Sequence, residues 1–112
     1  MSEHNNWVDI AAINDLNDGS RLEIELNGTY LAIVKLEGVL HAFEDRCTHD
    51  GESLAGAELE LDPNTPCGVV VCPRHGARFC IKTGDALTPP AYEPLRIFEI
   101  REYSHRIQVR GV

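Results

Sequence analysis

The sequence has no hydrophobic run long enough to span a bilayer. Its longest unbroken run of branched aliphatic side chains is Val69-Val70-Val71, whereas a membrane helix needs roughly 20 apolar residues. The start lacks both a basic leader and an apolar stretch. Met1-Ser2-Glu3-His4-Asn5-Asn6 is polar after the methionine, which predicts a cytoplasmic protein without a secretion signal or membrane association. Positive charge is also scarce, with 10 Lys and Arg against 18 Asp and Glu and a formal net charge of −8. Phosphate binding needs clustered basic residues, so nucleic acid is an unsuitable partner. An acidic surface suits transient docking on basic protein faces, and it also serves simple solubility. Long helices are missing as well. Residues 11–16 offer at most one turn, and Pro89, Pro90 and Pro94 exclude a helix after Asp85.

What remains is a chain of 112 residues with 43% apolar and 25% charged content, the profile of one ordinary globular domain spanning 1–112. Short runs rich in β-branched and aromatic residues recur between turn signals. Residues 21–26 alternate polar and apolar, and Asn27-Gly28 follows at once. That pair suits the two left-handed positions of a type I′ turn, which predicts a hairpin into residues 30–35. Glu37-Gly38 then turns the chain into 39–43, completing a three-stranded meander. Further strands are expected at 68–72, 77–81, 97–101 and 106–110, and Trp7 to Ile10 can open the sheet. Many short strands with few helical signals predict an all-β sandwich or barrel.

One stretch breaks the rhythm. Residues 48–66 hold Gly51, Gly56, Pro63, Asn64 and Pro66, with weak strand character at 59–61. Loops of this length in small domains are usually functional, and this one runs between two cysteine–histidine pairs. The first is Cys47-Thr48-His49 and the second Cys72-Pro73-Arg74-His75. Without a secretion signal, cysteines point to metal binding or catalysis rather than disulfides. Two sulfurs and two nitrogens match a [2Fe–2S] cluster in which two histidines replace two cysteines on one iron. Tetrahedral zinc also accepts this donor set, in an interaction module without redox function. The single residue between Cys47 and His49 favours the cluster, since zinc pairs commonly have two to four residues between ligands. No 2-His-1-carboxylate iron site accompanies these residues, so the chain is not expected to be an enzyme by itself.

The motifs Cys47-Thr48-His49, Cys72-Pro73-Arg74-His75-Gly76, Phe79, Lys82-Thr83-Gly84 and the proline-rich 89–95 segment resemble the Rieske ferredoxins that serve bacterial ring-hydroxylating dioxygenases. The resemblance runs from Trp7 to the last strand. It implies an antiparallel β-sandwich base with a smaller two-loop cluster-binding subdomain, covering about residues 44–91. It further implies one [2Fe–2S] cluster, with Cys47 and Cys72 on the inner iron and His49 and His75 on the outer. Pro89 and Pro90 would belong to its cover. The implied function is one-electron transfer from a flavin-dependent reductase to a terminal non-haem iron oxygenase. Another electron-transfer pathway, such as cluster assembly, is the alternative.

Two departures from that family stand out. Between His49 and Cys72 lie 22 residues, several more than dioxygenase ferredoxins usually have. The surplus falls around 62–68, a loop expected near the docking tip. The chain also has Cys67 and Cys80, expected to be small packing thiols rather than a disulfide. Respiratory Rieske proteins carry a clamping disulfide where this chain has Glu52 and Arg74. They also carry a serine and a tyrosine hydroxyl where it has Ala77 and Phe79. Missing donors to cluster sulfur imply a low potential. Arg74 and Arg78, as exposed cations, are expected to matter little. His4, His41 and His105 are expected to be surface or edge-strand residues.

Overall fold

The computed structural model describes residues 7–46, 58–61, 68–72, 76–88 and 93–112. Nine strands and one short 3-10 turn are found among them. In chain order the strands are β1 (Val8–Ala12), β2 (Arg21–Leu26), β3 (Thr29–Leu36), β4 (Val39–Glu44), β5 (Glu58–Leu61), β6 (Gly68–Val71), β7 (Arg78–Cys80), β8 (Ile97–Tyr103) and β9 (Arg106–Arg110); the turn is Ile13–Asp15. Every pairing between these strands is antiparallel. Six strands form one sheet in the order β1-β9-β8-β4-β3-β2, and β5-β6-β7 form a second.

Turn chemistry sets the hairpins. Asn27 and Gly28 have φ of 53° and 82°, as the type I′ geometry requires, and Leu26 pairs with Thr29 directly across them. Glu37 and Gly38 repeat that conformation between β3 and β4, with φ of 50° and 79°. The carboxylate of Asp18 accepts the N–H groups of both, at 3.2 and 2.6 Å. The β8–β9 turn uses Ser104 and His105 at φ of 52° and 64°, without a glycine.

Alternation along β3 builds the core on two faces. Leu31 and Ile33 point to one side, where they pack with Leu16, Ala42, Phe98, Ile107 and Val109. Leu22 and Ile24 of β2 and Ile10 of β1 join the same cluster. Strands from opposite edges therefore meet over one core, so the six-stranded sheet curls into a sandwich-like base. The joint is the short contact of β4 with β8, registered as Ala42↔Phe98 and Phe43↔Ile97. Ala32 and Val34 face the other way and pack with Phe43, Val70, Cys72, Phe79, Ile81 and Leu95. This second core joins the base to the β5-β6-β7 sheet. Fully burying a side chain such as Phe43 or Phe79 contributes about 1.5–3 kcal/mol, so the seam is firmly closed at its centre.

The expected meander, the one-turn segment and the later strands are all present. The weak strand at 59–61 is a full partner of β6, registered from Glu58↔Val71 to Leu61↔Gly68. The surplus loop itself, 62–67, lies outside the described residues. Its flanking residues, Leu61 and Gly68, pair at the opposite end of β6 from Cys72.

Candidate metal centre

Of the four predicted ligands, Cys72 lies among the described residues; Cys47, His49 and His75 lie outside them, as do Glu52 and Arg74. Cys72 follows the last residue of β6. Its N–H donates to the Ala77 carbonyl at 2.7 Å, and its own carbonyl accepts the Gly76 N–H at 3.0 Å. These two bonds close the base of the loop that carries His75. They extend the β6–β7 pairing by one residue beyond Val71 and Arg78, up to the point where the loop begins.

The Cys72 thiol is free and buried, with 1% exposure. It shares a core cluster with Phe43, Ala77, Phe79 and Leu95. Phe43 lies near the end of β4, from which the chain runs through Arg46 to Cys47. The Asp45 N–H donates to Tyr30 and the Glu44 N–H to Arg96, at 2.8 and 2.9 Å. The strand that delivers the first pair and the strand that delivers the second thus converge on one buried cluster. A free thiol there, at the foot of a histidine-bearing loop, fits thiolate ligation of an inner iron shielded from water.

The segment after β7 packs beside it. Phe79 forms a bridge with Ala86, and the Arg78 N–H donates to Thr88 Oγ1 at 3.1 Å. The Leu95 N–H donates to the Gly84 carbonyl at 2.7 Å. Gly84 has φ of +85°, and a methyl group there would run into the Leu95 carbonyl. This close approach explains the glycine of Lys82-Thr83-Gly84. The chain departs toward Pro89 and returns to Leu95 from a fixed base.

Residues 6–99 match the model of the Rieske [2Fe–2S] domain. The chain belongs to the Rieske [2Fe–2S] domain family. A 3-phenylpropionate/cinnamic acid dioxygenase ferredoxin subunit of Escherichia coli (strain K12) is 34% identical over 95 residues, covering 85% of this chain and 84% of that one. The ferredoxin of carbazole 1,9a-dioxygenase from Nocardioides aromaticivorans IC177 superposes with a TM-score of 0.84 at 20% identity, covering 96% and 99% of the two chains. A complex of reduced oxygenase and oxidized ferredoxin in carbazole 1,9a-dioxygenase contains a chain matching at TM-score 0.79 and 30% identity, with 96% and 94% coverage. This Rieske chain therefore has the expected all-β fold and carries one Rieske-type [2Fe–2S] cluster.

Three side chains depart from expectation. Cys80 is buried and disulfide-bonded, not a free packing thiol; Cys67 lies outside the described residues. A reducing compartment disfavours disulfides at equilibrium, but close approach of two thiols is set by the fold. Arg78 is not simply solvated, since its guanidinium pairs with Glu60 at 2.7 Å. Its charge is neutralised locally and adds little to the field at the tip. His41 is half-buried and not on an edge, because β4 lies between β3 and β8. Burial, and then the Lys82 ammonium, hold its imidazole below the ordinary value of 6.5. Among the described residues no helix is long and apolar enough to cross a membrane.

Proposed function

We propose that this chain is a single-domain, cytoplasmic, low-potential Rieske ferredoxin that carries electrons one at a time from a flavin-dependent reductase to a terminal non-haem iron oxygenase. Residues 44–91 form its cluster-binding part, with Cys47 and Cys72 on the inner iron and His49 and His75 on the outer. The observation that carries the reading is the free, buried Cys72 thiol at the foot of a hydrogen-bonded loop, in a chain matched by ferredoxin subunits of dioxygenase systems. The structurally similar chain in a complex of oxygenase and ferredoxin supports the choice of partner.

When bound, the cluster supplies a one-electron couple. The protein's part is to hold it rigidly and tune it. The bonds between Cys72, Gly76 and Ala77 close the base of the second ligand loop, and Phe43, Phe79 and Leu95 keep water from the inner ligand. Ala77 and Phe79 are fully buried beside Cys72 and have no hydroxyl to donate. The reduced state then keeps more uncompensated charge, which places the midpoint near the bottom of the roughly −150 to +300 mV Rieske span.

Protein-film voltammetry of the cluster-loaded chain tests this reading. A low midpoint is expected, and the A77S/F79Y double variant should raise it. A wild-type midpoint well above zero would rule out the low-potential assignment. Iron analysis and EPR of C47S, H49S, C72S and H75S check the ligand set, each variant losing the native signal. A colourless wild-type chain with bound zinc would overturn the whole proposal.

A further inference from the structure

The seam between the two sheets is closed at its centre but open at one end. A cavity of about 400 Å³ lies there, between the β3–β4 hairpin, β8, the start of β6 and the turn after β7. This is within the range of roughly 300–1,000 Å³ typical of small-molecule sites. Leu40, Ile81, Ile97 and Ile100 give it an apolar wall. Val39 also lines it and is 54% exposed, an apolar lip that folding leaves uncovered. Two nitrogen-bearing side chains line the same space: the part-buried His41 and the exposed Lys82. Lys82 has no ion pair with any described residue.

We propose that this cleft binds a small monoanionic amphiphile, with its carboxylate between Lys82 and His41 and its aromatic or aliphatic body against the apolar wall and Val39. Three features select that chemistry. Both side chains line the cleft, where burial and then the Lys82 ammonium disfavour protonation of His41; an anion between them pairs with Lys82 and offsets that penalty on the imidazolium. The apolar wall and lip need a hydrophobic body, which excludes simple inorganic anions. Glu37 at the rim, with Asp18 bonded to the same turn, disfavours a second negative charge on the ligand.

The cleft is separate from the cluster. Gly68, which lines it, starts β6, and Cys72 follows the other end, about 13 Å away at the usual strand rise. An occupant would touch β4 and β8 of the base together with Gly68 and Ile81 of the smaller assembly, bracing the open end of the seam. Binding also favours the imidazolium form of His41, so affinity rises as pH falls. Lys82 across the cleft and Glu37 at its rim are the charged groups that line the space with this imidazole.

The test titrates 4-phenylbutyrate into the ¹⁵N-labelled, cluster-loaded full chain, with 4-phenylbutylamine as the probe of equal body and opposite charge. Expected are saturable amide shifts at 36–42, 81–82 and 97–100 with the acid and none with the amine. K82E should weaken binding by about tenfold or more, while E37Q leaves it unchanged or tighter. Binding should be tighter at about pH 6 than at about pH 8, with the His41 ring resonances reporting a raised titration midpoint in the complex. Absence of saturable shifts, an equal response to the amine, full affinity in K82E, or affinity independent of pH would each overturn the proposal. Lys82 is exposed, so a spectrum of K82E unchanged elsewhere separates lost binding from lost fold.

Discussion

His41 shows how a single residue escapes pattern reading. It stands opposite Val34 in β4, and its depressed titration follows from burial and from Lys82, a neighbour 41 positions away in sequence. The consequence for stability has a definite sign. Between its lowered folded value and the unfolded value of about 6.5, the unfolded chain binds more protons, so stability rises with pH in that window. Acidification through it should erode stability, and above it the effect vanishes. H41Q should flatten this part of the profile, as read from urea midpoints from about pH 5 to about pH 8. Gly84 is the opposite kind of residue, one whose role the motif signalled without giving the reason. Its left-handed backbone and the adjacent Leu95 carbonyl leave no room for a side chain. G84A should lose at least about 2 kcal/mol in chemical denaturation, combining left-handed strain with the displaced carbonyl.

At the scale of elements, the hairpins were readable where turn residues carried their own geometry. Asn27-Gly28 announced a type I′ turn and Glu37-Gly38 a turn; in the structure both pairs have positive φ at each position. Ser104-His105 adopts positive φ at both positions with neither Gly nor Asn to signal it, so the expected end of β8 fell two residues short, at Arg101 rather than Tyr103. That turn is held because the His105 carbonyl accepts the Ile13 N–H at 2.8 Å, tying it to the 3-10 turn. H105G keeps that carbonyl and relieves the strain, so it should stabilise the protein by about 1 kcal/mol in thermal or urea unfolding. β5 was seen only faintly because it is four residues long in a stretch rich in Gly and Pro; its pairing with β6, and the Glu60–Arg78 ion pair, are long-range facts. The cysteine–histidine pairs were legible because ligand chemistry is local in sequence. The disulfide of Cys80 and the cleft at the seam were not, because both depend on how separate strands meet.

For the whole molecule, charge and architecture point to the same mode of work. A chain of net charge −8 should meet a basic docking face faster than a neutral one, and salt should screen that advantage. Stopped-flow electron transfer to such a partner should therefore slow steadily as ionic strength rises, while the unimolecular step within the complex stays constant. The architecture divides labour between a curled base, which supplies stability, and a small sheet, which carries the Cys72 loop at one end. At the other end, Leu61 and Gly68 face each other as the last registered pair of β5 and β6. A loop whose two ends are already pinned changes length cheaply, at about 0.6 kcal/mol per doubling. The residues between that pair are thus a natural port for engineering. A fluorophore, affinity tag or tether to an electrode could be spliced in there, leaving the electron-carrying end free to turn over.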